Sequence, residues 1–146
     1  MGTRELKGAI TACGHLCLDI IPGFPESSTP HDYFRPGRLS TVGSPVIAAG
    51  GAVSNVGISV HRLGLPSRLM AKVGDDPLGK LIIERVGAVG AELGRGIRAV
   101  RDEVTSYTIV LNPPGIDRIF LHCPGANDTF TERDVSADAL AGTAIF

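Results

Sequence analysis

The sequence predicts an α/β protein, a fold class in which strands and helices alternate along the chain. Its 146 residues include 19 glycines but only five phenylalanines, two tyrosines and no tryptophan. Many glycines with few aromatic side chains indicate frequent turns and close contacts between helices and a sheet. Apolar runs of strand length also alternate with segments of helical spacing, which favours the same class, and the length fits one domain.

Strands are predicted on both sides of the first long helix. Residues 8–21 form an apolar run that predicts one buried first strand. Residues 38–49 alternate over short stretches and predict one or two strands, with Pro45 typical of a sheet edge. Residues 52–63 have helical spacing, and residues 67–73 predict a second core strand.

The later part of the chain continues the alternation. Residues 77–89 predict a second helix with proline in its first turn. Residues 105–111 and 118–122 predict a hairpin whose connector is rich in turn-forming residues. The apolar run 142–146 predicts another strand that stops with the chain, so we expect the sequence to be truncated.

Composition excludes several classes of partner. A formal net charge of −1 and a hydrophobic content of 43% predict a folded domain without a basic surface for nucleic acid or acidic lipid. No apolar run reaches the roughly 20 residues that span a bilayer, so no membrane partner is expected. The first residues lack the apolar core of a signal peptide, and three cysteines, an odd number, suit a reducing compartment. The sequence therefore predicts a cytoplasmic protein.

The most informative segment is the glycine pair Gly50–Gly51, which precedes the first long helix and is followed by Asn55. Without Cβ atoms, two glycines let the backbone turn sharply and approach a ligand closely. The start of the helix supplies unpaired N–H groups, and Asn55 offers a donor and an acceptor one turn later. This arrangement suits a neutral polyol such as a sugar. The alternative is a plain turn between a strand and a helix.

A wider pattern contains this segment. Three motifs follow each other at a characteristic spacing: Gly50-Gly51-x-x-x-Asn55, Arg62-Leu63-Gly64 and Val73-Gly74-Asp75-Asp76-x-x-Gly79. Asp19 ends the first predicted strand, and the hairpin at 105–123 leads into Gly125-Ala126-Asn127. Together these features resemble the ribokinase/PfkB family of carbohydrate kinases, over about residues 8–146.

The resemblance implies a Rossmann-like α/β fold of the ribokinase type with a small β-sheet lid over the sugar site. Residues 1–146 would then be the amino-terminal part of one kinase domain, with lid segments at about residues 20–23, 38–48 and 105–123. In the family, the second half of the domain binds ATP and carries the catalytic aspartate. We expect that half to be missing here. ATP and Mg²⁺ are therefore expected cofactors of the parent enzyme, no cofactor is expected to bind well to this chain alone, and no catalytic residue is expected in it.

The resemblance also implies which residues bind the substrate. The positions that match sugar-binding residues of the family are Asp19, Gly50, Gly51 and Asn55. Arg118 lies where many sugar-acid and related kinases carry an arginine, and would face an acidic or phosphorylated substrate. Its alternative is an exposed hairpin charge. Ribokinases proper often have lysine after the glycine pair, whereas this chain has Ala52, which argues against ribose itself.

Two further patterns are interpreted as structural. Residues 125–130 are similar to the family's anion hole with its catalytic aspartate, but Asn127 replaces the middle glycine and only a short helix follows, so Asp128 is not expected to be catalytic. Cys13, His15 and Cys17 suggest a metal site. However, positions i and i+4 of one strand are about 13 Å apart, too far for shared zinc ligation, so no metal is expected.

Two hypotheses about function follow. In the first, the parent enzyme phosphorylates a hydroxyl of a sugar or sugar-like molecule with ATP, and this chain forms the acceptor-binding half and the lid, inactive alone. In the second, the chain is a stand-alone sugar-binding module, or an interaction module acting through its β-sheet, without catalysis. The expected partner is a small-molecule sugar, sugar acid or nucleoside, and the lid sheet can also pair into a homodimer. A nucleotide-dependent oxidoreductase is disfavoured because no glycine fingerprint follows the first strand.

Overall fold

The computed structural model describes residues 7–146 and shows two separate four-stranded sheets with helices. The elements follow in the order β1 (Ala9–Cys13), β2 (Cys17–Gly23), α1 (Pro30–Tyr33), β3 (Gly43–Gly50), α2 (Gly51–Arg62), β4 (Ser67–Gly74), α3 (Pro77–Val89), α4 (Ala91–Gly94), β5 (Ile97–Val100), β6 (Tyr107–Leu111), β7 (Ile119–Cys123), α5 (Ala137–Leu140) and β8 (Thr143–Ile145). Two short 3₁₀ helices, Gly125–Asn127 and Glu132–Asp134, lie between β7 and α5. The predicted α/β class is confirmed.

The first sheet is parallel and has the strand order β5-β4-β1-β8. β1 pairs with β4 from Ile10 opposite Ser67 onward. The helices α3 and α4 form the crossover between the parallel neighbours β4 and β5, and α2 leads from β3 into β4. Because the four strands run in the same direction, their carboxyl ends lie together at one edge of the sheet. Ligands of open α/β sheets bind at this kind of edge.

The second sheet is mixed and has the order β3-β2-β6-β7. β2 pairs antiparallel with β3 and parallel with β6, and β6 forms an antiparallel hairpin with β7. These strands overlap the three predicted lid segments, and their action as a lid stays a prediction. Pro45 lies in β3, which is an edge strand, as its missing N–H donor requires.

One apolar core joins the two sheets. Its fully buried members come from β2 and the residue before it, from the first sheet and from the inner faces of the helices: Leu16, Leu18, Val53, Leu69, Val73, Ile82, Val86 and Leu93. Ile20, Ile47 and Tyr107 pack against this core from the second sheet. Since neighbouring residues of a strand point to opposite faces, Asp19 lies on the other face of the second sheet, away from the core.

The prediction of one continuous first strand is wrong. The run breaks after Cys13, where Gly14 adopts a φ of +118°, and the chain enters the other sheet at Cys17. That φ lies in the region that favours glycine, so the turn depends on this residue. Cys13 therefore does not share a strand with Cys17 or Asp19.

Other boundaries agree closely with the sequence. The second predicted helix is α3, with the bounds expected for it, and the Asp76 carboxylate caps it by accepting the Gly79 N–H at 2.8 Å. The predicted hairpin and final strand are confirmed as β6–β7 and β8. The short strand β5 was not predicted. Among residues 7–146, no helix has both the length and the apolar character that a membrane span requires.

Candidate functional site

The candidate site lies where the chain passes from the parallel sheet into the second sheet. β1 ends at Cys13, and residues 14–16 carry the chain across to β2. The start of α2 lies beside this crossing, because the Val53 N–H donates to the carbonyl oxygen of His15 at 3.1 Å. The site therefore combines a carboxyl edge of a parallel sheet, a helix start and one face of the second sheet.

Gly50 leaves the space that the Asp19 carboxylate occupies. Cys17 of β2 is opposite Gly50 of β3, and Asp19 is opposite Ala48. A Cβ atom at position 50 would collide with the carboxylate of Asp19. Only glycine therefore lets this carboxylate lie directly over the backbone that leads into α2.

Gly51 turns the chain from β3 into α2. Its φ is +89°, and a Cβ there would lie 2.6 Å from the carbonyl oxygen of His15. Both observations require glycine at this position. Gly50 is the N-cap residue of α2 and provides no side chain to cap it, so apart from the Val53 amide the first N–H groups of the helix face this corner without a capping partner among the described residues. The predicted sugar-binding residues Asp19, Gly50 and Gly51 are thus brought together.

A row of three polar side chains crosses the face of the second sheet that carries Asp19. Asp19 is in register with Thr108 on β6, and Thr108 is in register with His122 on β7. Asp19, Thr108 and His122 are called the polar row below. The Thr108 hydroxyl lies 2.9 Å from His122 Nδ1. The sequence reading did not select Thr108 or His122. The predicted hairpin, centred between Pro114 and Gly115, would place Thr108 opposite Leu121, whereas the observed register places it opposite His122.

Cys17 connects the polar row to the glycine pair. Its thiol donates to the Asp19 carboxylate at 3.4 Å and lies 3.9 Å from the Thr108 hydroxyl. Burial, followed by the nearby charge and hydrogen bond of Asp19, raises the pKa of the Cys17 thiol to about 11. The sulfur therefore stays protonated near neutral pH and acts as a donor. Within residues 7–146, no group of three or more His, Cys, Asp and Glu side chains is arranged to hold a metal ion.

Asn55 lies one turn beyond Gly51 on α2 and is exposed. It lines a cavity of about 560 Å³ between β3, α2 and α3, together with Ile47, Ala49 and Arg85 among others. Ile47 and Ala49 pack against the core, Ala48 is opposite Asp19 in β2, and Asp19 itself does not line this cavity. The structure therefore does not place Asn55 in the same cavity as the Asp19 carboxylate.

Arg118 lies at the far end of the β6–β7 hairpin. Its guanidinium carbon is 5.6 Å from the centre of the Phe120 ring, and its side chain is mostly exposed. Strand alternation places Arg118 on the face of Phe120 and His122, but about 13 Å along the strand from His122. The structure therefore brings Arg118 to the rim of this face and not into contact with Asp19.

Asn127 supports the site from behind. Its side-chain oxygen accepts the Leu16 N–H at 3.2 Å, and its side-chain nitrogen donates to the Leu16 carbonyl oxygen at 3.1 Å. Leu16 is fully buried in the crossing between β1 and β2. Asn127 thus fixes the crossing that positions Cys17 and Asp19, a role that sequence reasoning did not assign to it.

The segment around Asn127 does not fit a phosphate group. The N–H of Ala126 donates to the Val104 carbonyl at 2.8 Å, and the N–H of Asp128 donates to the Gly125 carbonyl at 3.0 Å. The N–H of Asn127 is also engaged, by the Pro124 carbonyl at 3.2 Å. An anion hole needs such N–H groups unpaired and converging on the ligand. Residues 125–130 therefore resemble an anion hole in sequence but do not form one in the structure.

The family model described as pfkB family carbohydrate kinase matches residues 11–145 of this chain. The chain belongs to this family. The uncharacterized sugar kinase of Pyrococcus horikoshii is 32% identical over 127 residues, which cover 87% of this chain and 34% of that protein. Fructokinase-2 of Solanum lycopersicum is 29% identical over 144 residues, which cover 96% of this chain and 40% of that protein.

Solved structures of a ribokinase and of a sugar kinase share the fold. The ribokinase of Arabidopsis thaliana, solved with ribose and ATP, superposes with a TM-score of 0.71 at 23% identity, over 92% of this chain and 42% of that one. The structure of the P. horikoshii sugar kinase with ATP gives a TM-score of 0.67 at 30% identity, over 90% and 39% of the two chains. The predicted ribokinase-type fold is thereby confirmed. The present chain spans between 34% and 40% of the length of the two curated relatives named above.

Proposed function

We propose that this chain forms the acceptor-binding part of an ATP-dependent sugar kinase. The observation that carries the proposal is the meeting of Asp19, Gly50 and Gly51 at the start of α2, in a chain of the pfkB family. The reaction of the whole enzyme is transfer of the γ-phosphoryl group of ATP to a hydroxyl of the acceptor. The part of the protein proposed here orients that acceptor.

Asp19 is the main contact in this proposal. A carboxylate has acceptor sites on both oxygens, and hydroxyl groups of a sugar donate to it in charge-assisted hydrogen bonds. The N–H groups at the start of α2 bind hydroxyl oxygens on the neighbouring side. Asn55 and Arg118 are proposed as further contacts, Asn55 through its amide at the helix and Arg118 at the rim of the second sheet. For Asn55 this requires the acceptor to extend past the glycine pair.

The second sheet is proposed to act as a lid. Its polar row faces away from the core, so a ligand held by Asp19 lies against this face. Covering the acceptor excludes water, which otherwise competes as a phosphoryl acceptor. The segments 20–23, 38–48 and 105–123 are the lid in this proposal, and residues 1–146 are part of one kinase domain.

No group in this chain is proposed as the catalytic base or as the phosphate-binding site. The N–H groups of residues 126–128 are already used within the chain. ATP, with Mg²⁺, supplies the transferred phosphoryl group when bound, and we propose that other parts of the parent protein hold it. This chain alone is therefore expected to orient a sugar without phosphorylating it. Sugars, sugar acids and nucleosides remain the acceptor classes. Fructose comes first for testing because one relative is a fructokinase.

Asp19→Asn is expected to weaken sugar binding by at least tenfold, since a hydrogen bond to a charged group contributes about 1.5–3 kcal/mol. The measurement is isothermal titration calorimetry of the purified chain with D-fructose, D-ribose and 2-keto-3-deoxy-D-gluconate. Asp138→Asn is the matched control, because Asp138 is exposed in α5 and far along the chain from the site.

Three results decide this proposal. Saturable binding of one of these sugars, lost in Asp19→Asn and kept in Asp138→Asn, supports it. Absence of binding to every sugar in the panel contradicts it. Turnover of ATP above the blank, in a coupled assay with the bound sugar, contradicts the expectation that the chain alone is inactive.

A second function is favoured by the exposed apolar side chains of the hairpin strand β7. Ile119, Phe120 and Leu121 are 39%, 56% and 52% exposed, and β7 is an edge strand with unpaired backbone groups. Such an edge pairs readily with a second strand. We propose that it pairs with β7 of a second copy, giving a homodimer through the lid sheet, with or without catalysis by the parent protein.

Light scattering coupled to gel filtration tests this pairing. A dimer is expected for the wild-type chain, and Leu121→Lys is expected to give a monomer because the added charge opposes edge-to-edge association. Leu39→Lys is the control, since Leu39 is 97% exposed outside the strands. A monomer at every concentration of the wild-type chain would rule out this assembly.

A further inference from the structure

We propose that His122 is a specificity-determining residue, whose Nε2 hydrogen-bonds an acceptor hydroxyl at the opposite end of the sugar from the hydroxyls held by Asp19. This inference rests on the proposed function, because it assumes that the acceptor lies over Asp19. It adds a second anchor on a different strand and assigns Thr108 the task of positioning that anchor.

The register of the second sheet places the two anchors on one face. Asp19 on β2 and His122 on β7 are both in register with Thr108 on the strand between them. Neighbouring strands are about 4.8 Å apart, so the Cα atoms of Asp19 and His122 are separated by about 10 Å. Side chains extending from both ends leave room between them for one small polyol.

The His122 ring is held in a defined orientation. Its Nδ1 lies 2.9 Å from the Thr108 hydroxyl, and its ring meets that of His15 edge-on with 5.5 Å between the centroids. Thr108 is buried and His122 is exposed. The hydrogen bond to Thr108 therefore holds the Nδ1 side of the ring against the sheet, and the rest of the ring faces outward. Within residues 7–146, no side chain or backbone group hydrogen-bonds Nε2. Nε2 is therefore the atom that remains for a ligand.

Thr108 itself is not the second anchor. Its residue is only 7% exposed, and its hydroxyl faces both His122 Nδ1 and the Cys17 sulfur. Cys17 in turn donates a hydrogen bond to the Asp19 carboxylate. The Thr108 hydroxyl in the middle of the polar row is therefore already hydrogen-bonded within the chain. Asp19 and His122, at the two ends of the row, are the groups that can bind a substrate in place of water.

This arrangement selects for an acceptor with hydroxyl groups at both ends. A hydroxyl both donates and accepts, so it pairs with Nε2 in either tautomer of the imidazole. A molecule that lacks the hydroxyl facing His122 leaves Nε2 without a partner in the closed site. Sites built to bind a hydroxyl discriminate against analogues lacking it for this reason.

The test is calorimetric binding of D-fructose and D-ribose, each with its set of singly deoxygenated derivatives, to the whole chain and its variants. His122→Leu is expected to weaken binding of the preferred sugar about fivefold, as for one neutral hydrogen bond. One deoxy derivative is expected to bind the wild type about fivefold more weakly than its parent sugar and to show no such difference with His122→Leu. His122→Gln is expected to keep part of the affinity, because its amide reaches the region of Nε2. Thr108→Val is expected to fall between wild type and His122→Leu.

His61→Leu is the matched control, because His61 lies in the last turn of α2 and pairs with Glu92 at 3.5 Å. Circular dichroism confirms that each variant is folded before binding is compared. If His122→Leu binds every sugar as the wild type does, the inference is wrong while the proposed function stands. If His122→Leu weakens all derivatives equally, His122 acts only through the fold and the inference is again wrong. If the wild type binds none of the sugars, the proposed function itself fails.

Discussion

Asn127→Ala is expected to lower the free energy of unfolding by about 2–5 kcal/mol, since each buried polar group left without a partner costs about 1–3 kcal/mol. The variant removes both hydrogen bonds that the Asn127 side chain makes to the Leu16 backbone, at 3.2 and 3.1 Å. Leu16 is fully buried, so its peptide groups have no water to replace the lost partners. The crossing between β1 and β2 is then released at the point that positions Cys17 and Asp19.

Urea unfolding followed by circular dichroism measures this effect. Asn112→Ala is the matched control, because Asn112 is exposed in the connector between β6 and β7, and a change within about 0.5 kcal/mol is expected there. Asn127→Asp should also be destabilising, because a carboxylate can accept from the Leu16 N–H but cannot donate to its carbonyl. Equal stability of Asn127→Ala and Asn112→Ala would show that the two bonds to Leu16 do not support the crossing. Sugar affinity of the folded Asn127→Ala chain should fall as well, because Asp19 moves with the crossing.

The elements that sequence predicts well are those whose causes are local. Helix α3 begins with a proline in its first turn and a cap from Asp76, which accepts the Gly79 N–H three residues away. Every signal that fixes its start lies within a few residues, so its bounds could be predicted. The hairpin β6–β7 is similar, because its turn-forming connector separates two apolar runs.

The break in the first predicted strand has causes that lie far apart in the chain. Apolar residues stand on both sides of Gly14 and His15, so the hydrophobic pattern resumes at Leu16 and predicts one long strand in place of two. Gly14 permits the turn, but the crossing is held by Asn127, which is separated from Leu16 by 111 positions. The strand β5 is comparable. Its residues Arg98 and Ala99 are exposed, and it is a strand because it pairs with β4, where Arg98 is opposite Lys72.

The candidate site was predicted in part for the same reason. The glycine pair has its own local signal, and family resemblance connects it with Asp19. The contact of Asp19 with Gly50 requires the β2–β3 register, and the bond between Thr108 and His122 requires the register of β6 with β7. Threonine and histidine are common on exposed strands, so neither residue type selects these positions. Thr108 and His122 form a polar row with Asp19 only because the register of β2 with β6 and of β6 with β7 brings the three positions together.

Lys72 forms the other polar centre of the molecule, at the carboxyl end of β4. It is 5% exposed, and its ammonium group donates to Glu103 at 3.0 Å and to the Thr129 carbonyl at 2.9 Å. Asp134 lies 3.9 Å from the same nitrogen and also pairs with Arg98. Lys72 therefore ties the parallel sheet to the segment that follows Asn127, on the side of the sheet edge that bears the candidate site.

Lys72→Met is expected to lower the free energy of unfolding by about 3 kcal/mol. Methionine keeps most of the apolar stem but leaves Glu103 and the Thr129 carbonyl without the buried ammonium. Removing one partner of a buried ion pair costs about 3–5 kcal/mol, and the partial exposure of Glu103 places this case at the lower end. Lys80→Met is the matched control, because Lys80 and Asp75 form a pair 3.6 Å apart that is largely exposed, and such pairs contribute about 0–1 kcal/mol.

The dependence of stability on pH separates loss of the charge from loss of packing at Lys72. Burial raises the pKa of Glu103, but hydrogen bonds from Thr129 and Lys72 outweigh it and hold this pKa below its ordinary 4.5. The pKa of Asp134 is lowered from 3.8, first by the Thr131 N–H, against the effect of burial, and then by Lys72 and Arg98. Both carboxylates bind fewer protons folded than unfolded, so their contribution is complete above these ordinary values and is lost as the pH falls through the lower folded ones.

Lys72→Met should therefore show a shallower loss of stability with acid than the wild type. The Thr129 and Thr131 hydrogen bonds remain in the variant, so the dependence is reduced and not abolished. Urea unfolding of wild type, Lys72→Met and Lys80→Met at several values between pH 7 and pH 2.5 measures these slopes. An equally steep fall for wild type and Lys72→Met, with a constant difference between them, would mean that Lys72 contributes by packing alone. The ammonium would then have no part in holding the two acidic residues, and with them the chain segment that begins at Asn127, against the sheet.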